Sequence, residues 1–307
     1  MMDNAVTWQD GLDNYKNHHV CYGKNQLQYR CHLQDRSVDV NKDFYSLVND
    51  ICQSKNFRYV ELLYSGGLDS ELVLVALQAL KIPVTAVTMR LCHLGYPVNT
   101  HDLYYSEKFC RVNNIKQRFV DLNFVDFFEN QLHEKYLCPY WISEPHVATH
   151  FWLLEQCEHF PVLAGEYSWP WAHEPLLSPH RLEFSCFDRF IKDNNINGMG
   201  NFLNYSYQLN YYLIENHLNI MKSQNFKTDW KHIPIFKQNL YSKLANWNFE
   251  RRKRSYGFEN LPKGLYDRDQ YRNQLLTKYA EVRSEISWDD QIGKLVGGGS
   301  NSNDRFF

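Results

Sequence analysis

With 307 residues the chain is long enough to bury a substantial core as one elaborated domain or two, which excludes a small disulfide-stapled scaffold. Its 33 basic and 35 acidic residues leave a net charge of −2, so no overall field would hold it on nucleic acid or an anionic membrane, and any basic site must be local. At 44% hydrophobic and 22% charged it reads as a folded globular protein, while the unusual 16% of aromatic residues serves either a core or a binding surface.

The eight cysteines, at 21, 31, 52, 92, 110, 138, 157 and 186, are scattered and form no C-x-x-C pair, the usage expected of reduced thiols in a cytosolic protein. Asp3, Asp10, Asp13, Lys16 and Lys24 interrupt the first thirty residues, which hold no signal-peptide stretch. The longest apolar run, residues 72 to 80, is about half a membrane span. The expectation is a soluble, cytoplasmic protein with no membrane partner.

In chain order, residues 1 to 55 are polar and aromatic, with an expected strand pair at 26 to 33 and 37 to 40 and a helix at 44 to 52. The short apolar run Tyr59-Val-Glu-Leu-Leu-Tyr64 then stops at Ser65-Gly-Gly-Leu-Asp-Ser70 and resumes over residues 71 to 80, which predicts strand, glycine turn and helix. Pro83 precedes the β-branched run 84 to 89, the next strand of a β-α-β unit. A helix at 102 to 113, a strand at 117 to 121, a helix from about Pro145 and a strand at 160 to 165 continue the alternation. Strands separated by helices imply a parallel α/β sheet with right-handed crossovers, whose ligands sit at the carboxyl ends of the strands. The pocket is therefore expected beside Ser65, Met89, Asp121 and Gly165. Beyond about Gly198 the pattern turns helical, with helices predicted at 205 to 217 and 237 to 248, followed by the basic run Arg251-Arg-Lys-Arg254. Residues 293 to 307, rich in glycine, serine and asparagine, read as a flexible tail.

The glycine turn is the informative motif. A strand that stops at two glycines before a helix gathers unpaired backbone N–H groups and the positive end of the helix dipole at one point, which suits an anion. Ser65 and Ser70 add hydroxyl donors, and Gly66 and Gly67 permit backbone angles and close approach that a Cβ forbids. Asp69 among phosphates would be repulsive unless a cation such as Mg2+ joined them, so a magnesium-bound nucleotide is the economical reading; an ordinary tight turn with a capping serine is the plain one. The segment has neither the lysine of the Walker loop nor the G-x-G-x-x-G pattern.

Residues 65 to 70 resemble the pyrophosphate loop of the ATP pyrophosphatase (PP-loop) family. Within it, residues 55 to 265 are most similar to the synthetase domain of asparagine synthetases and β-lactam synthetases. Supporting segments are the strand 84 to 89, Asp102, the strand ending in Val120-Asp-Leu122, Val162-Leu-Ala-Gly-Glu166, Lys243 and Arg251-Arg-Lys-Arg-Ser-Tyr-Gly-Phe258. The resemblance implies an adenine-nucleotide α-hydrolase-like fold with an N-terminal extension at 1–55, the nucleotide-binding domain at 56–235, a helical C-terminal part at 236–292 and the tail at 293–307. It implies ATP and Mg2+ as cofactors, with Ser65, Gly66, Gly67, Leu68, Asp69 and Ser70 on the pyrophosphate and Asp69 on the metal. Backbone groups near Val87 and Met89 would hold the adenine, Gly165 and Glu166 would face the reacting carboxylate, and Lys243, Lys253 or Arg254 would supply cations. The implied activity is an AMP-forming ligase that adenylates a small-molecule carboxylate for attack by an amine.

Two departures bear on this. Those synthetases continue Gly-Glu with Gly-Ala-Asp-Glu, whereas this chain runs Glu166-Tyr-Ser-Trp-Pro170, so a second acidic metal ligand is missing unless Glu166 or Asp121 takes its place. No glutaminase domain is expected from residues 1 to 55, so the amine would come free, from an amino acid or from a partner. The alternative is a non-catalytic nucleotide-binding or assembly protein, with a partner protein or a second copy as its contact. His146-x-x-x-His150 with Cys157-x-His159 has spacing for a metal, though satisfied or exposed imidazoles explain it better. Tyr167, Trp169, Trp171 and His173 form either an aromatic wall for the acceptor or core packing. The basic run is either a phosphate-reaching segment or a solvated helix end.

Overall fold

A computed structural model describes residues 15–22, 27–33, 41–140, 142, 144–165, 182–224, 233–252, 258 and 261–285. Strands β1 (Tyr15–Tyr22) and β2 (Leu27–Leu33) form an antiparallel hairpin of their own, with His18 opposite Cys31 and Cys21 opposite Gln28. The strand expected at 26 to 33 is therefore present, but its partner precedes it. The segment Tyr-Lys-Asn-His-His-Val-Cys-Tyr does not alternate apolar with polar residues, so no period-2 signal marked it. The return strand expected at 37 to 40 lies outside the described residues.

Helix α1 (Phe44–Ser54) starts where the Asp43 carboxylate accepts the Ser46 N–H at 2.8 Å, an N-cap in the usual geometry. It buries Phe44, Leu47, Val48, Ile51 and Cys52, a stripe at helical spacing. The β-α-β alternation then follows: β3 (Val60–Leu63), α2 (Leu68–Ala79), β4 (Val84–His93), the two-residue β5 (Tyr96–Pro97), α3 (Thr100–Val112) and β6 (Lys116–Asn123). After a π-helical turn at Val125–Glu129 come α4 (Leu132–Leu137), α5 (Ala148–Glu155) and β7 (Phe160–Val162). The C-terminal helices are α6 (Leu182–Asp193), α7 (Phe202–Tyr205), α8 (Tyr207–Gln224), α9 (Ile233–Ala245) and α10 (Arg268–Glu285).

The sheet runs β6-β4-β3-β7 with all four strands parallel, and β5 adds a short antiparallel pairing to the end of β4. The parallel α/β architecture expected from the sequence is thus present. The chain winds outward from β3 through β4 to β6 on one side and then places β7 on the other. That reversal makes the carboxyl ends of β3 and β7 the switch point of the sheet, where open α/β folds form the crevice that holds ligands.

Among the described residues two cores flank the sheet. On one face Val60 and Leu62 meet α1, α2, α8 and α9; on the other Leu63, Val87 and Leu91 meet α4, α5, α6 and α10. Strand alternation sends successive residues of β3 to opposite faces, so this strand is buried on both. Helix α2 is enclosed almost all round, with Leu68 and every residue from Ser70 to Leu77 buried, which is why its sequence shows a continuous apolar run instead of a stripe. No helix among the described residues is long and apolar enough to cross a membrane.

Candidate functional site

The turn at residues 64 to 67 leaves β3 at the crevice. Tyr64 holds it to the sheet, donating its N–H to the Val87 carbonyl at 2.8 Å while its own carbonyl accepts from the Thr88 hydroxyl at 2.8 Å. Gly66 follows at φ +78°, and a Cβ there would lie 2.9 Å from the Asp102 carbonyl oxygen and 3.0 Å from the Ser106 nitrogen. Only glycine accepts both the backbone angle and this approach of α3. Gly67, in extended conformation, is the N-cap of α2, and no side chain caps the helix. The Ser70 hydroxyl turns back to the Gly67 carbonyl at 3.1 Å, and the Gly67 N–H reaches the Ser65 hydroxyl at 3.3 Å. The N-terminal end of α2 is thereby presented at the crevice without a capping carboxylate or hydroxyl across it.

Cationic side chains reach this loop from far along the chain. Lys237, buried on α9, donates to both oxygens of Asp69 at 2.7 and 3.0 Å, and the Tyr241 hydroxyl one turn later donates to the same carboxylate. Arg252 comes from the segment after α9. Its guanidinium donates to the Gly66 carbonyl and, at 2.7 Å, to Glu71, and lies over the Tyr105 ring at 4.8 Å. Glu71 is 1% exposed and also accepts from Tyr64 at 2.9 Å. Burial raises its pKa, opposed by the Arg252 charge and by hydrogen bonds from Arg252 and Tyr64.

The residues singled out from the sequence are distributed as follows. Ser65, Gly66, Gly67, Leu68, Asp69 and Ser70 form the one turn and the helix start. Gly165 stands beyond β7 at φ +67°, where a Cβ would lie 1.9 Å from the Asn201 side-chain oxygen. Backbone bonds from Phe202 and Leu203 to the Leu163 and Ala164 carbonyls hold this second lip of the crevice. Val87 is fully buried with its carbonyl engaged by Tyr64, and the Met89 carbonyl accepts from Asn99 at 2.9 Å. Lys243 is exposed in the last turn of α9, away from the buried stripe that carries Lys237 and Tyr241. Glu166, Lys253, Arg254, Tyr167, Trp169, Trp171 and His173 lie outside the described residues.

Sequence reasoning thus missed Lys237, and within the basic run it had singled out it named Lys253 and Arg254 but not Arg252. A signal existed: Phe236, Leu240, Tyr241 and Leu244 are the buried stripe of α9, and Lys237 falls inside it. A lysine within a core stripe calls for a carboxylate partner.

Asp69 suits a magnesium ion held jointly by one carboxylate and substrate phosphates, which is how that ion is commonly bound. Its carboxylate is 27% exposed at the crevice, with Lys237 as the competing cation. Asp121 is engaged elsewhere, in an exposed two-pronged pair with Arg90 on the far side of β4, rather than turned toward the loop. Among the described residues no three His, Cys, Asp or Glu side chains converge as a metal site. His146 and His150 are buried, and burial pushes their pKa down to about 3 and about 4. Cys52, Cys92, Cys110, Cys138, Cys157 and Cys186 are free thiols, and burial drives those of Cys52, Cys110 and Cys157 up to about 12.

No protein-family profile matches the chain, and no curated protein does. Among solved structures it is similar to the U34-tRNA thiolase NcsA from Methanococcus maripaludis, 13% identical, covering 83% of this chain and 77% of that one at a TM-score of 0.32. NMN synthetase from Francisella tularensis is 11% identical over 69% of this chain and 94% of its own, at 0.31. NH3-dependent NAD synthetase from Campylobacter jejuni is 14% identical over 66% and 89%, at 0.29. At these TM-scores the likeness adds nothing to what the strand order and the loop geometry establish.

Proposed function

We propose that this protein is an ATP-dependent, AMP-forming ligase of the ATP pyrophosphatase type, which activates a small-molecule carboxylate for attack by an amine. The observation that carries the reading is the uncapped start of α2 at the switch point of the sheet, with Asp69 beside it and a buried lysine on that carboxylate.

In this reading the N–H groups of the turn hold the inner oxygens of the triphosphate, and the Ser65 and Ser70 hydroxyls rotate from their internal partners to phosphate. A substrate carboxylate oxygen attacks the α-phosphorus, the bond to the bridging oxygen breaks, and pyrophosphate leaves. The amine nitrogen then attacks the acyl carbon, AMP departs, and the amine gives up a proton. Magnesium, when bound, supplies charge neutralisation of the leaving pyrophosphate, with Asp69 as its protein ligand. Lys237, released from Asp69, is placed to follow the phosphates as a second cation. Glu166 beside Gly165 is assigned to the reacting carboxylate and Arg254 to the phosphates, while Lys243 is a poorer candidate for that role than Lys237. The asparagine synthetase-like substrate class remains part of the proposal, as does a cytoplasmic setting suited to free thiols.

A second reading, a nucleotide-binding protein without catalysis, is favoured by one specific feature, the absence of an acidic follow-up in Glu166-Tyr-Ser-Trp-Pro170. Isotope exchange between pyrophosphate and ATP, screened over amino acids and dicarboxylates, separates the two. The ligase shows exchange that depends on one acceptor and disappears in Asp69→Ala. ATP binding with no exchange for any acceptor supports the second reading.

A further inference from the structure

We infer that Arg252 is a positioning residue that fixes the orientation of the Gly66–Gly67 peptide, and with it the N–H that the turn offers to an anion. The inference rests on reading residues 65 to 70 as an anion-binding loop.

The peptide between two glycines is the least restrained in the turn, because neither end carries a Cβ to oppose its rotation. A trans peptide directs its C=O and N–H to opposite sides, and no peptide of the described chain is cis. One orientation turns the Gly67 N–H into the loop; the flipped one turns the Gly66 carbonyl there, where its partial negative charge would repel a phosphate. The structure holds the first. The Gly66 carbonyl accepts from the Arg252 guanidinium, and on the opposite side the Gly67 N–H faces the Ser65 hydroxyl at 3.3 Å.

Arg252 is in turn made rigid. Its other terminal nitrogen is held by Glu71 at 2.7 Å, Glu71 is held by Tyr64 at 2.9 Å, and the Tyr105 ring supports the guanidinium face. A planar fork with two separate acceptors can grip a carbonyl and a carboxylate together, which an ammonium does less well. Tyr64 lies in the turn, Glu71 in the first turns of α2 and Tyr105 on α3, so the guanidinium ties both ends of the loop to the segment after α9.

The test combines spectra with binding. Protein carrying 15N and carbonyl-13C glycine is titrated with inorganic pyrophosphate in the presence of Mg2+. The inference expects the Gly67 amide signal to move and the Gly66 carbonyl signal to stay, because that carbonyl is turned away. Calorimetry with the same ligand then compares Glu71→Gln with Glu71→Gln combined with Arg252→Met. The first keeps an oxygen acceptor for the guanidinium while removing the carboxylate charge, and it is the reference for the second. The second removes the guanidinium without leaving a buried carboxylate uncompensated, and should bind about tenfold more weakly, the order expected for one well-placed hydrogen-bond donor. Equal affinity in the two variants, or a pyrophosphate-induced shift of the Gly66 carbonyl without one of the Gly67 amide, overturns the inference while leaving the loop as the anion site. If the double variant does not fold, the parent's two glycine signals decide alone. A parent protein that binds neither pyrophosphate nor ATP overturns the loop reading and the inference with it.

Discussion

Lys237 sets the charge balance of the crevice. It is 7% exposed and touches both oxygens of Asp69, so removing either partner leaves a charge with poor solvation. Lys237→Met should weaken ATP binding about tenfold or more, the loss expected for a charge-assisted hydrogen bond, while Asp69 becomes freer to take Mg2+ alone. Titration calorimetry with ATP and, separately, with Mg2+ checks both signs; unchanged ATP affinity would remove Lys237 from the phosphate site. The turn itself was legible in the sequence, because strand, glycines and helix start are neighbours in the chain and each leaves a local mark. The partners of Lys237 and Arg252 were not, because these contacts cross 168 and 186 residues, and spacing in sequence does not encode which distant helix closes over a loop. Lys243 was singled out through the family resemblance, yet the helical period turns it to the exposed side of α9, away from Lys237.

At the level of elements, the crevice depends on β3 being held at the centre of the sheet. The buried Glu61 does this with its side chain. It accepts from Arg118 of β6 at 2.9 and 3.1 Å and from the N–H groups of Glu158 and His159, at the entrance to β7, at 2.6 and 3.0 Å. Burial by itself would raise its pKa, but the two N–H donors and the guanidinium outweigh it and hold the carboxyl below its ordinary value. A depressed carboxylate contributes stability that is present above the unfolded-state pKa and is lost as pH falls through the folded one. Glu61→Gln should therefore lower thermal stability at neutral pH, by roughly 3 kcal/mol if Arg118 is left without a charged partner, and the gap to the parent should narrow in acid. Melting curves of both proteins from neutral to acidic pH test this, and a gap constant with pH would contradict it. The order of strands and helices could be read from their alternating periods. The first hairpin could be read only by half: β2 was expected, but β1 has no alternation to read and is found only through its pairing.

At the scale of the whole molecule, the described residues keep two cores on one sheet. Helices α1 and α9, almost two hundred residues apart in the chain, share a core with α2, and α10 closes the opposite one with Tyr271, Leu275 and Tyr279. Sequence character reports where patterning changes; which face a late helix covers follows from the path of the chain across the sheet. Burial also sets the acid response of the fold. It pushes His146, His150 and His217 down to about 3, about 4 and about 3, from an ordinary value of about 6.5. Unfolded chains take up these protons first, so the stability the three imidazoles contribute is full above about pH 6.5 and is lost as pH falls toward their folded values. Denaturant midpoints should thus decline from neutral pH to pH 4, with a shallower decline in His217→Phe; a parallel decline in that variant would show that His217 is not kept neutral by the fold.

The proposed function requires that the turn at Ser65 to Ser70 grip the triphosphate of ATP. Calorimetric titration of ATP with Mg2+ into the parent and into Gly66→Ala measures this most directly. The variant places a Cβ against the α3 backbone at a positive φ and cannot keep the turn as built. The prediction is a single-site heat in the parent that is lost in a variant whose melting still shows a cooperative fold. No heat in the parent, or the same affinity in both, would contradict it.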